Sequence, residues 1–533
     1  MYLAAMKVIG DMPLSIREPL INLLLSELSP PEFNAALSEF GTDIDLSNYR
    51  REIAEALIET SGICDVVPEV YKDFRPIVYD GAMFIFSRIS EARLLRIINA
   101  QILIDTDTSS QGGRLVKLVE DIPMLYKLGQ IIARNPNIEE AFRKWLTLLE
   151  GGLIHTDIAT INSIIESELG DALKIHAVEL SEHVLSEASV SAVAAFTWHD
   201  SVSGGTGVFK VVKPGVAGFL TEDMKLLDEL AAVYTENSDK YALGDFQFTG
   251  TLKDVNHALS KEIDLRNEQV HMKLAREFYR TNRRIKVPRP LPFLSTNQVT
   301  AMEFIDGEKI TGARGRHRAA CAVELFNAVV CSCLFSGEER SIFHADPHAG
   351  NIFIIKDGAA GFRIALIDWS QTGTLTKAAR ASVLRLAAGI ATNNRRTIAE
   401  AAAALSEGDT DETERTVIEN EIDKSPAGVP FIEGALDLLD RLAIRGMKFP
   451  ADLLLFRKAL FTLNGVALSL DTEFDADTCF INYMVMVLAE EAPQRWFNMF
   501  FLPYTDSPYH YRSLMSNAEL FTLICERAFL PSL

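Results

Sequence analysis

A chain of 533 residues has room for about two to four domains or one large elaborated fold. Hydrophobic residues make up 48% and charged residues 23%, a globular rather than a disordered balance. The net charge of −21 argues against a nucleic-acid partner and against adhesion to anionic lipid through a basic patch, both of which need clustered Lys and Arg.

Cys64, Cys321, Cys331, Cys333, Cys479 and Cys525 form no Cys-x-x-Cys pair, which disfavours a structural zinc. With no secretory signal, reduced thiols in a cytoplasmic setting are expected. The longest apolar run, residues 322–335, contains Glu324 and Asn327 and is too short to span a bilayer. The aromatic run 496–501 is shorter still. The expectation is a cytoplasmic protein with no transmembrane segment and at most peripheral membrane contact.

Residues 1–108 read as a helical N-terminal region, with Leu14, Leu20, Ile21, Leu24, Leu25 and Leu28 at helical spacing. Residues 109–182 read as a second helical section carrying Lys127, Gly129 and Gln130 as a Lys-x-Gly-Gln group. From about residue 183 the period changes to two, which predicts strand, strand, turn and strand. The group Gly204-Gly205-Thr206-Gly207 reads as a hairpin turn rather than a phosphate loop, because no helix follows it. A phosphate-covering loop is placed earlier, at Ala188, Ser189 and the residues up to Val193. Lys210 falls mid-strand between Phe209 and Val211.

Apolar-periodic helices are predicted over 216–234 and 254–278. The second carries Glu262, Asp264 and Glu268, which alone would read as a solvated face. Residues 298–310 predict a strand ending in a turn at Asp306-Gly307. Beyond Asp368 the chain reads as helical to its end, with an acidic, solvated section over 408–424.

The centre of the sequence is the stretch 343–373, read as loop, strand, turn and strand. Asp346 lies in the loop, Asn351 five residues on, and Asp368 at the end of the second strand. Protein kinases use this order for phosphoryl transfer: a carboxylate that orients the attacking hydroxyl, then an amide and a carboxylate that hold Mg²⁺. His344, Asp346 and His348 at alternating positions are equally the makings of a metal hydrolase site or a plain polar turn. Lys210, Glu268, the 298–310 strand, Asp346, Asn351 and Asp368 then occur in kinase order. Lys210 would contact nucleotide phosphates and pair with Glu268, and the backbone around Glu303 and Ile305 would bond the adenine.

The motifs at 127–130, 262–264 with Glu268, 302–307, 344–351 and 366–375 together resemble the UbiB/AarF-like atypical kinases, which include proteins of coenzyme Q biosynthesis. The resemblance covers roughly residues 120–480. It implies an α+β, atypical protein-kinase-like bilobal fold with a helical N-terminal extension and a large helical C-lobe. In that scheme 183–305 form the N-lobe and 306–533 the C-lobe. Lys127 and Gln130 would fold over the active site to face Glu262 and Asp264. The resemblance also implies binding of ATP or ADP with Mg²⁺, catalysis through Asp346 with Lys210 and Glu268, metal held by Asn351 and Asp368, and ATP hydrolysis coupled to handling of a lipid or quinone precursor.

The sequence departs from the family at several of these places. Ala192 stands where a Gln is usual after the alanine-rich loop, Ser370 replaces a glycine after Asp368, His271 replaces an Asn, and Ala349 replaces a Pro. Ser370 removes backbone freedom that glycine would give. A nucleotide-binding pseudokinase acting as a regulatory or lipid-carrying module is the alternative reading.

Overall fold

The computed structural model describes most of residues 49–102, 156–241 and 264–529, with isolated residues outside those spans. The expectations for Lys127, Gly129, Gln130, Ala188, Ser189 and Glu262 fall outside the described residues. The chain divides into two compact units, one of Met1–Leu265 with Pro292–Ala301 and one of Arg266–Leu291 with Met302–Leu533.

In the first unit, α1 (Arg50–Ser61) stops at Gly62, whose φ of 65° suits glycine and whose N–H returns to the Ile58 carbonyl at 3.2 Å. Next come α2 (Arg75–Phe86), α3 (Glu91–Ile102) and α4 (Ile158–Leu169). Ile161, Ile165 and Leu169 of α4 are buried at a spacing of four, so one stripe of that helix faces the core. After α5 (Asp171–Ile175), β1 (Glu179–Glu187), β2 (Ser191–His199) and β3 (Gly204–Val212) form a meander that the later strand Val299–Glu303 joins beside β3.

The period-two pattern of β2 appears directly in burial. Ala192, Ala194, Phe196 and Trp198 all face the core, and Phe196 stacks on Phe209 of β3 with ring centroids 3.9 Å apart. Gly204 to Gly207 are not a turn. They are the first residues of β3, paired with His199 to Phe196. A Cβ on Gly204 would run into the His199 ring and the Trp198 carbonyl, so close strand approach, not turning, explains that glycine.

The helix α6 (Val216–Glu236) packs on this unit's helices. Its Tyr234 hydroxyl donates to the Ile77 carbonyl at 2.7 Å, and a Cβ at Gly81 of α2 would collide with that hydroxyl. Its Asp223 accepts from the fully buried Arg93 of α3 at 2.6 Å.

The second unit contains α7 (Leu265–Phe278), β4 (Ile285–Lys286), β5 (Val299–Glu303) where it leaves the first sheet, and β6 (Glu308–Lys309). The helix α8 (His317–Phe326) continues through a π-helical stretch, Asn327–Cys331, to a last turn, Ser332–Leu334. Four strands follow: β7 (Arg340–His344), β8 (Ile352–Asp357), β9 (Gly361–Leu366) and β10 (Thr372–Thr376). They make a sheet of order β4-β9-β8-β6 and a separate ribbon of β10 against β7. The chain is therefore not helical directly after Asp368. Five residues, Thr372–Thr376, first pair antiparallel with a strand some thirty positions upstream, a non-local pairing that local pattern does not show.

Helices then continue as α9 (Lys377–Ala391), α10 (Arg395–Leu405), α11 (Glu412–Asp423), α12 (Phe431–Ile444), α13 (Ala451–Leu470), α14 (Ala476–Phe501) and α15 (Asn517–Phe529). The acidic section 408–424 is largely the helix α11. Asp411 and Glu414 close its N-terminus as a capping box, and its Ile418 is buried.

Two stretches, His317–Leu334 and Ala451–Leu470, are long and apolar enough to cross a membrane by length and composition only, a test that a buried core helix also passes. About half of each is buried, and Leu325, Phe326, Val329, Phe456 and Leu463 have no exposure at all. The end of α14 is inverted. Glu491, Arg495 and Asn498 face inward and bond Ser513, Tyr511 and Asn517. Trp496, Phe497, Phe500 and Phe501 face outward and are more than half exposed.

Candidate active site

The site in the second unit begins at the end of β7. There His344 pairs across to Thr372, and the next amide, Ala345 N–H, donates to the Gln371 carbonyl at 3.1 Å. The His344 ring is fully buried. Its Nδ1 accepts from the Asp346 N–H at 3.2 Å, which assigns the proton to Nε2, and Nε2 donates to the Ile367 carbonyl at 2.9 Å. Burial pushes its pKa down, so this histidine is a neutral strut.

The hydrolase alternative loses a ligand here, since both ring nitrogens of His344 serve the backbone. His348 likewise uses Nδ1 to accept from Gly350 N–H at 3.0 Å. Among the described residues, no group of three or more His, Cys, Asp or Glu side chains is placed to hold a metal.

Asp346 is 8% exposed and is brought against Asn351 by a tight turn. Asn351 Nδ2 donates to the Asp346 carbonyl at 3.2 Å, and the Asn351 carbonyl accepts from Ile367 N–H at 2.9 Å. The amide is thus fixed between the loop that carries Asp346 and the strand end that carries Asp368. Asp368 itself has a φ of 58°, left-handed backbone that Asp tolerates better than most residues. The Ser370 hydroxyl donates to Asp368 Oδ1 at 2.6 Å, and the Ser370 N–H reaches the same oxygen at 3.3 Å.

The unusual backbone therefore belongs to Asp368, not to the position after Trp369, and Ser370 acts through its hydroxyl. Trp369 is fully buried and donates Nε1–H to the Leu366 carbonyl at 3.0 Å. Its own carbonyl accepts from Thr372 Oγ1 at 3.0 Å and from His271 Nδ1 at 3.1 Å. His271 thereby ties α7 to the Asp368 turn.

Asn351 and Asp368 offer oxygen donors, the ligand type Mg²⁺ takes, and hydrogen bonds on the far side of each group fix its orientation. These two residues fit a metal of that kind, which when bound would neutralise phosphate charge.

The remaining expected residues are placed as follows. Lys210 is 9% exposed in β3, opposite Val193, within the first unit. Glu268 is 1% exposed on α7, within the second. Asp264 is exposed just before α7. Glu303 ends β5 and accepts from Lys286 Nζ at 2.6 Å and from Arg289 N–H at 3.1 Å, so its side chain is committed to that strand end. Ile305 follows in the irregular segment before β6.

The connection from β1 to β2 is held at both ends. Glu187 pairs with Lys213 at 2.5 Å and accepts from Thr156 Oγ1 at 2.9 Å, while the Val190 carbonyl accepts from Lys213 N–H at 2.9 Å. Sequence reasoning did not single out Lys213 or Glu187. It also missed Lys458 of α13, whose Nζ lies 3.7 Å from Asp346 Oδ1, and Gln371 just before β10, which accepts from Lys458. Lys458 sits beside Arg457 in a largely apolar helix, where neither cation shows by itself what it reaches.

The fold is the α+β fold of atypical protein kinases. Residues 149–402 match the family model described as "ABC1 atypical kinase-like domain", a match that, with the relatives below, supports a UbiB/ABC1-family protein. It is similar to a "Probable protein kinase UbiB" of Haemophilus ducreyi, 26% identical over 367 residues that cover 67% of each chain. It is also similar to the "Protein ACTIVITY OF BC1 COMPLEX KINASE 7, chloroplastic" of Arabidopsis thaliana, 26% identical over 66% of this chain and 51% of that one. The chain thus spans between half and two thirds of these relatives. A solved complex of Rv3197 with erythromycin from Mycobacterium tuberculosis aligns over 64% of this chain and 87% of its own, with 18% identity and a TM-score of 0.42.

Proposed function

We propose that the protein is an ATP- and Mg²⁺-dependent atypical kinase or ATPase of the UbiB type, acting in isoprenoid-quinone or other lipid metabolism. The observation that carries this reading is the hydrogen-bonded set in the second unit. Asp346, Asn351 and Asp368 are held to one another through the Asp346 carbonyl and the Ile367 amide, at 3.2 and 2.9 Å. In this reading Asp346 accepts the proton of the attacking hydroxyl or water, and Asn351 and Asp368 hold the metal. Lys210 and Glu268 take the roles toward the nucleotide phosphates that the family resemblance gives them. The family resemblance assigns Ala188 and Ser189 to the phosphates and the backbone at Glu303 and Ile305 to the adenine. The same resemblance assigns Lys127, Gln130, Glu262 and Asp264 to closing the site against a protein substrate.

The test is nucleotide binding by thermal shift, with ATP and with ADP, with and without Mg²⁺, in wild type and Asp368→Ala. Ligand at 100 times its Kd stabilises by about 2.7 kcal/mol, which is readily seen. A metal-dependent shift lost in the variant supports the reading, and no shift with either nucleotide overturns it.

Peripheral contact with a membrane or a hydrophobic substrate is part of the same reading, supported by the outward aromatic face at the end of α14. Sedimentation with neutral vesicles tests it. Recovery of the protein only in the supernatant would count against it.

A further inference from the structure

The stretch from His344 to Asn351 contains no Lys or Arg, although a transferring phosphoryl group spreads negative charge that catalysis must meet with positive charge. The second unit supplies a cation from elsewhere in the chain. Lys458 of α13 places Nζ 3.7 Å from Asp346 Oδ1 and donates to Gln371 Oε1 at 3.1 Å.

The placement is built in. Two residues before Lys458, the Phe456 ring meets Phe343 edge-on with centroids 5.1 Å apart, and Phe343 is the β7 residue just before His344. At the start of α13, Asp452 accepts from Thr374 N–H at 3.3 Å and Oγ1–H at 3.1 Å, which fastens the helix to β10. Gln371 is fixed in turn, because its carbonyl accepts from Ala345 N–H at 3.1 Å. The Lys458 side chain is 29% exposed and the Asp346 side chain 11%, so the cation lies toward solvent from the carboxylate. That is the side from which a phosphate substrate would arrive.

We propose that Lys458, oriented by Gln371, is a positioning residue that holds the Asp346 carboxylate in its working geometry. The inference rests on the phosphoryl-transfer reading above. An ion pair that only tied α13 to the loop would be expressed in stability. A positioning role is expressed in turnover.

The experiment measures Mg²⁺-dependent ATP turnover and nucleotide thermal shift in wild type, Lys458→Met, Lys458→Arg, Asp346→Asn and the Asp346→Asn/Lys458→Met double variant. Methionine keeps the apolar stem and removes the charge. In Lys458→Met, kcat is expected to fall roughly 10- to 100-fold, the usual worth of a group supporting a catalytic ligand, with KM for ATP and the thermal shift little changed. Lys458→Arg is expected to recover most of kcat. The double variant is expected to be no worse than Asp346→Asn, because the two groups act as one.

Lys458→Met with wild-type kcat, or losses that multiply in the double variant, overturn this inference alone. Absence of turnover in the wild type overturns the phosphoryl-transfer reading, and this inference falls with it.

Discussion

His344 Nε2 donates to the Ile367 carbonyl at 2.9 Å, and the same ring accepts from the Asp346 amide at 3.2 Å. One buried imidazole thus joins the residue before Asp368 to the candidate base. His344→Ala leaves a buried carbonyl and a buried amide without their partner, at a cost of about 1–3 kcal/mol for each group that water does not reach. The urea midpoint is expected to drop with an unchanged slope. A wild-type midpoint would show that the two loops hold together without it.

Asp346→Asn keeps the shape of the side chain and removes its basicity. Turnover is expected to fall roughly 10²- to 10⁴-fold while nucleotide still produces its thermal shift. Unchanged ATP hydrolysis in this variant would remove Asp346 from the role of base.

Asp346, Asn351 and Asp368 were legible in the sequence because the geometry that joins them is local: a tight turn and one hairpin, all within about two dozen residues. The strands β1 to β3 were legible because alternate burial leaves a period of two. What escaped was non-local. β10 exists because β7 offers it a partner, and Lys458 comes within 3.7 Å of Asp346 because α13 docks on β7 through Phe456. The glycines of β3 misled for the opposite reason, since a glycine that permits close strand approach has the same spelling as one that turns. Ser370 was read as a lost glycine, whereas its hydroxyl has a partner two residues back.

That last point has a direct test. If Ser370 acts by donating to Asp368 Oδ1, Ser370→Ala and Ser370→Gly should weaken the Mg²⁺ dependence of nucleotide binding alike, by roughly 10- to 100-fold in metal affinity. If backbone freedom were the limiting property, Ser370→Gly would bind metal at least as well as wild type. Titration of the thermal shift with Mg²⁺ at fixed nucleotide separates the two.

In the first unit, Arg93 and Asp223 are a fully buried pair at 2.6 Å, and Asp223 also accepts from Met124 N–H at 2.9 Å. Burial pushes the Asp223 pKa up, against the pull of Arg93. Arg93→Ala would leave that carboxylate buried without its cation, at about 3–5 kcal/mol. Replacing both with apolar residues should recover much of the loss. A small change in Arg93→Ala, measured by thermal unfolding, would show that Asp223 is neutral in the folded protein.

The pH dependence of stability should carry the mark of Asp440. It sits on α12 beside Arg457 of α13, and burial, assisted by Asp437, pushes its pKa up from 3.8 to about 6 despite the guanidinium. A raised folded-state pKa means that the folded protein binds this proton more tightly than the unfolded chain does. The stabilisation is therefore complete below about pH 4 and is lost as pH rises through 6, at about 1.4 kcal/mol for each pKa unit of difference before any discount for solvent. Asp440→Asn removes the titration but keeps the shape. The gap in unfolding free energy between wild type and Asp440→Asn should shift against the wild type between pH 4 and pH 6 and level off above, with other titrating groups cancelling in the comparison. A gap that stays constant across that window would mean that Asp440 titrates at its ordinary value and that Arg457 fully offsets its burial.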